Sequence, residues 1–146
     1  MSAGALLLLR ISLGLLMICW GLDKLVNMEH TLFVAEHFYG GVISAEGVWK
    51  VAGVLQILLG LLIIVGWLRR FAYPVLMVVT GITMLGVWRS IVDPWAWIFE
   101  GSNVLFYPSL IIFAAAWVLW SARAAERWTV DRDAEGITSP RAAPLR

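Results

Sequence analysis

Four nearly unbroken apolar stretches, roughly Ala5 to Val26, Val48 to Leu68, Phe71 to Val87 and Val104 to Ala122, decide what this chain can fold into. Each approaches the ~17–25 residues that a helix needs to cross a bilayer. Lipid offers no water to satisfy exposed backbone N–H and C=O groups, so only helices and closed barrels span it. None of the four stretches has the alternation of a barrel strand. The expected fold is therefore an all-α integral membrane four-helix bundle over residues 1–122. Composition agrees: 61% of the 146 residues are hydrophobic and 14% are charged, where a soluble domain carries about 25% charge.

Charge and cysteine usage exclude several classes. The formal net charge is +1 and no Lys/Arg run of the kind that grips phosphates is present, so no nucleic-acid partner is expected. A lone Cys19 cannot form an internal disulfide, and neither a CxxC nor a Cys/His cluster suggests thiol exchange or zinc. The first stretch differs from a cleaved secretory signal because Arg10 interrupts it, no small-residue cleavage site follows, and three more spans come after; a retained helix is expected. Arg69 and Arg70 fill the second link and Arg123 and Arg127 follow the fourth span, whereas Glu29, Glu36, Glu46, Asp93 and Glu100 lie in the other loops. The positive-inside bias then places both termini in the cytoplasm of a bacterial-type inner membrane. Trp49, Trp67, Trp88, Trp95, Trp97 and Trp120 sit at or near span ends, where amphipathic rings favour the headgroup layer.

Between the first two spans, Asn27 to Gly47 mixes Leu32, Phe33, Ala35 and Phe38 with Glu29, His30, Glu36 and His37, which predicts a short interfacial helix in the first outer loop. Gly40-Gly41 should end it. The link from Asp93 to Phe99 is unusually aromatic and is expected to lie on or in the membrane surface, the two outer loops forming one cap. Residues 123–146 read as a polar cytoplasmic tail, and its end, Thr138 to Arg146, has nothing with which to build a core.

Polar residues inside the spans are the candidate site. A basic side chain in hydrocarbon costs roughly 2.5–3.5 kcal/mol on insertion scales and needs a partner, a water cavity or a route to the interface. Arg10 shares a helix stripe with Gly14, Met17, Gly21 and Lys24; it and Lys24 either snorkel to opposite headgroup layers or contact an anion or a quinone headgroup. In span two, Lys50, Gly53, Gln56, Ile57 and Gly60 share a face, and Gln56 is either interhelical glue or a ligand contact. Arg10, Lys24, Lys50, Gln56 and Arg89 are thus the candidate quinone or polar-cluster contacts. The pairs Gly14/Gly21 and Gly53/Gly60, each seven apart, mark faces for close helix packing, which makes these two helices neighbours. Near the outer ends, Asp23, Lys24, Glu46, Lys50, Arg89, Asp93 and Glu100 read either as an ion-paired rim or as a proton or substrate site. His30 and His37 stand two turns apart, too far to share a metal without other ligands, so no metal site is expected. Thr80, Thr83 and Ser109 can bond their own helix backbones.

The stretch Leu9-Arg10-Ile11-Ser12-Leu13-Gly14, followed by Trp20-Gly21-Leu22-Asp23-Lys24-Leu25, resembles the opening of the DoxX-like membrane proteins, with an Arg, a Gly and then Gly-x-x-Lys-Leu closing helix one. Lys50 through Leu61, with Arg69-Arg70 beyond, is similar to that family's second helix and basic turn. One departure is Lys50, where many relatives carry a Glu. The resemblance implies a four-helix subunit linked to thiosulfate:quinone oxidoreduction or to a membrane redox assembly. The leading expectation is a non-catalytic or weakly catalytic accessory subunit that anchors such an assembly, with lipid and other membrane subunits as partners and quinone or bound lipid as candidate ligands. A stand-alone quinone-coupled oxidoreductase of the thiosulfate:quinone type is the alternative; a small transporter is the third, disfavoured because nearly all charge lies at the span ends.

Overall fold

A computed structural model describes residues 2–40 and 45–131. Helix α1 spans Ala3–Val26, opened by Ser2, whose Oγ accepts the Ala5 N–H at 3.2 Å. Helix α2, Met28–Tyr39, is the short loop helix and stops at Gly40; Gly41 lies outside the described residues. Helix α3 covers Glu46–Val65. It stops three residues before the apolar stretch does because Gly66 turns left-handed at φ +72 and its N–H closes on the Leu62 and Ile63 carbonyls. Helix α4 runs Arg69–Gly86, and after a turn at Val87 the short α5, Trp88–Val92, follows. A 3-10 turn at Val104–Phe106 leads into α6, Pro108–Ser121, whose Pro108 stands at the first position, where no N–H is needed.

Three segments, Ala3–Val26, Glu46–Val65 and Val104–Ser121, are long and apolar enough to cross a membrane. The fourth long helix, α4, has 18 residues, about 27 Å at 1.5 Å per residue, and its two leading arginines dilute its apolar character. The four form a ring in which α1 and α4 each pack against both α3 and α6. Gly14 meets Gly60 and Gly21 meets Gly53, so α1 and α3 run antiparallel. Leu13, Met17, Leu59, Ile63, Ala72, Tyr73, Leu76, Ala116 and Leu119 fill the centre, while Leu15, Val54, Leu58, Val78, Ile82 and Ile111 point outward. Apolar exposure of that extent suits a surface facing lipid chains.

Helices α1 and α3 approach each other backbone to backbone. A Cβ added at Gly14 would lie 2.8 Å from the Gly60 carbonyl oxygen, and one at Gly60 would lie 2.6 Å from that of Gly14. Gly21 and Gly53 repeat the arrangement, with distances of 2.6 and 2.8 Å. In lipid, where no hydrophobic effect draws helices together, such glycine contacts allow the dispersion and weak polar contacts that do.

Beyond α6 the chain turns back. A 3-10 turn at Arg123–Ala125 leads into a strap, residues 123–131, laid across the end of the bundle. Glu126 and Thr129 are buried there. Residues 123–131 of the polar tail thus pack on the bundle, where Arg10 and Arg69 supply partners for them. Thr138 to Arg146 lies outside the described residues.

Candidate functional site

The strap ends at the basic end of the bundle. Arg10, on the buried stripe of α1, is 3% exposed. Its Nη2 donates to the Trp128 carbonyl at 2.7 Å and its Nη1 stands 3.7 Å from Glu126 Oε1. From α4, Tyr73 donates its hydroxyl to Glu126 Oε2 at 2.8 Å, and Arg69 Nη1 donates to the same oxygen at 3.1 Å and to the Arg123 carbonyl at 2.9 Å. One carboxylate, itself 3% exposed, thus meets two guanidiniums and a phenol. A guanidinium out of water is tolerated only with such pairing.

A second carboxylate completes the turn between α3 and α4. Leu68 holds the N-cap position of α4 with φ +52 and has no oxygen with which to cap it. Asp131 does so from across the chain: its two oxygens accept the Leu68 and Arg69 N–H groups at 2.9 and 2.8 Å. The negative charge also suits a helix N-terminus. Gly66 is required twice, by its left-handed φ and because a Cβ there would meet Arg10 Nη1 at 2.8 Å and Thr129 Cβ at 3.0 Å.

The opposite, loop end is organised by Asp93. Its carboxylate accepts the N–H groups of Trp97, Ile98 and Phe99 at 3.0, 2.6 and 2.8 Å. The Phe99 N–H holds the carboxyl below its ordinary value; loss of solvent opposes this, and the Ile98 and Trp97 N–H groups reinforce it. This wrapping sustains Ala96 at φ +57 and presents Trp95 and Trp97 stacked at 5.3 Å, the latter 81% exposed. Beside the loop lies a cleft of ≈ 270 Å³ bordered by His37, Trp88, Arg89, Ser90, Glu100 and Ser102.

The five candidate contacts lie at three levels of the bundle. Arg10 is at the basic end. Gln56 is buried mid-bundle and donates to the Met17 sulfur at 3.7 Å. Lys24 donates to the Trp20 carbonyl at 3.3 Å, and Lys50 pairs with Glu46 at 3.7 Å in the open. Arg89 lies over the Trp88 and Phe99 rings, 5.8 and 6.0 Å from their centroids, at the mouth of the cleft. The loop-end charges make local pairs: Asp23 takes His30 at 2.8 Å, and Asp93 serves its own loop. His37 stacks on Phe33. Among the described residues, no three His, Cys, Asp or Glu side chains are grouped to hold a metal ion. Thr80 and Thr83 bond the backbone carbonyls one turn back. Sequence reasoning missed Arg69, Tyr73, Glu126 and Asp131 as partners; the available signal was that a buried Arg10 demands an acid, and Glu126 follows the last span.

A family model described as DoxX matches residues 5–89. The chain belongs to the DoxX family. No curated protein and no solved structure matches it. The DoxX segment carries Arg10, the four packing glycines, Arg69, Tyr73 and Arg89, whereas the strap with Glu126 and Asp131 lies beyond it.

Proposed function

We propose that this DoxX-family membrane protein is an accessory, anchoring subunit of a larger membrane-bound redox assembly, quinone-linked as the family resemblance implies. The observation that carries the reading is the dispersal of the candidate contacts: Arg10, Gln56 and the trio Lys24, Lys50 and Arg89 occupy three different levels of the bundle and are engaged by neighbours. Contacts so dispersed support a frame role over a single headgroup site, and no chemical step is assigned to them. A subunit that holds others in place needs a rigid frame and an outward apolar surface, which the glycine-packed helices and the exposed Leu, Val and Ile rows supply. The gathering of Arg69, Arg70, Arg123 and Arg127 at one end supports placing that end, with both termini, in the cytoplasm of an inner membrane. Extraction in mild detergent followed by native mass spectrometry tests the reading: co-purifying membrane subunits are expected, and a clean monomer from its own host overturns it.

The cleft beside Arg89 favours a second reading, a stand-alone quinone-coupled oxidoreductase using Arg89 with His37 or Glu100. Loss of quinone-linked turnover in a folded Arg89→Ala protein would support it; unchanged turnover removes it.

A further inference from the structure

At the basic end the strap fills a receptor that the rest of the bundle has already built. Arg10 from α1 and Arg69 and Tyr73 from α4 aim three donor groups at a single point, and Glu126 occupies that point. The donors all belong to the segment matching the DoxX family, residues 5–89; the carboxylate arrives from outside it. The pairing is also incomplete. Arg10 Nε and Arg69 Nε are buried with no hydrogen-bond acceptor, although Asp131 Oδ2 stands 3.5 Å from the latter. Both oxygens of Glu126 are already used, Oε1 within 3.0 Å of the Tyr73 hydroxyl and Oε2 by Tyr73 and Arg69. Even with the Trp128 and Arg123 carbonyls accepting from them, the two guanidinium forks and the phenol keep donors that Glu126 does not satisfy. A tetrahedral oxyanion, with more oxygens and the geometry that guanidinium forks match, would satisfy them better.

We propose that Arg10, Arg69 and Tyr73 form a binding site for a phosphate-type oxyanion, with Glu126 as an internal ligand that closes it while the strap is docked. Displacement of the strap exchanges one anion for another without leaving either buried arginine uncompensated, which is what makes the exchange feasible in a site of low dielectric. The phosphate belongs either to a phospholipid headgroup, the bundle end being at that level of the membrane, or to a free solute. The strap is held at its far end by Asp131 on the α4 N-terminus, so loosening that cap opens the site while Arg10, Arg69 and Tyr73 stay in place.

The test uses the full chain in mild detergent, titrated separately with inorganic phosphate and with phosphatidylglycerol at matched ionic strength, and read by thermal unfolding and native mass spectrometry. Wild type is expected to respond weakly to both. Glu126→Gln, which keeps the side-chain shape and removes the charge, should bind one of the probes at least tenfold more tightly than wild type, and adding Arg10→Gln should abolish the gain. Asp131→Asn, which keeps Arg10, Arg69 and Tyr73 and loosens the strap, should show a gain of the same sign. Response to the lipid alone assigns a headgroup; response to phosphate assigns a solute. If Glu126→Gln fails to accumulate, recovery of folded protein by either probe during purification supports the site, and no recovery counts against it. No gain with either probe, or an equal gain when Arg10 is also replaced, overturns the proposal and leaves Glu126 as a brace only.

Discussion

The two ends of this bundle are each organised by one buried carboxylate, and they differ in where its partners come from. Asp93 accepts N–H groups four, five and six residues further along the chain. Glu126 and its neighbour Trp128 gather groups from residues 53 to 118 positions away. The loop end is therefore a local fold that needs little from the rest of the molecule, whereas the basic end exists only once all four long helices are assembled. Damage should spread accordingly: widely from Glu126, and hardly at all from Asp93.

The largest effect is expected from Glu126→Ala, which removes the carboxylate that two guanidiniums share. Thermal unfolding in detergent should show a loss of about 3–5 kcal/mol, as for breaking one side of a buried ion pair. A loss confined to the strap, with the helices melting as before, would break the contrast. Next comes the frame between the ends. Gly60→Ala places a methyl group 2.6 Å from the Gly14 carbonyl oxygen and should cost about 1–3 kcal/mol by overpacking, while Gly4→Ala, with open space around it, should be neutral in the same assay. Asp131→Ala removes a borrowed helix cap and should cost about 0.5–2 kcal/mol, with increased protease cleavage between residues 122 and 131. Smallest in global stability is Asp93→Ala, expected to expose the Trp95–Phe99 loop to protease while the unfolding midpoint barely moves. The pH dependence has a definite sign. A carboxyl held down in the fold contributes fully above its unfolded value of about 3.9 and loses that contribution as pH falls through its lower folded value. The loop should therefore remain closed at pH 4 and open only in stronger acid; opening between pH 5 and 7 would contradict the role given to Asp93.

That same contrast governs what could be read in advance. Features set by neighbours in sequence were visible: the apolar spans, the short loop helix ended by Gly40, and the glycines spaced to share a face. Their signals are periodicity and backbone chemistry, which survive without any knowledge of tertiary structure. The span ends shifted by two or three residues because Gly66 and the left-handed Leu68 make the turn earlier than hydropathy changes. The Arg10 partnership was not visible, since no periodic pattern joins α1 to a carboxylate after α6. Arg10 carried half the signal, a charge on a protein-facing stripe. The other half sat in a segment whose composition resembles unstructured chain, and only the geometry of the assembled end gives Glu126, Thr129 and Asp131 something to pack on. The candidate contacts at the loop end were legible as charged residues, but their pairings are with near neighbours on the chain and so do not add up to one cluster.

The strap also sets a clock on biogenesis. Arg10 is made 118 residues before Trp128, the carbonyl that receives its guanidinium, and at ~5–20 residues per second that separation lasts roughly 6 to 24 seconds. Throughout that interval the nascent first helix carries a cation whose final protein partners are still untranslated. Water or lipid phosphate must accompany it meanwhile, so sealing of this end is the closing act of assembly rather than its beginning.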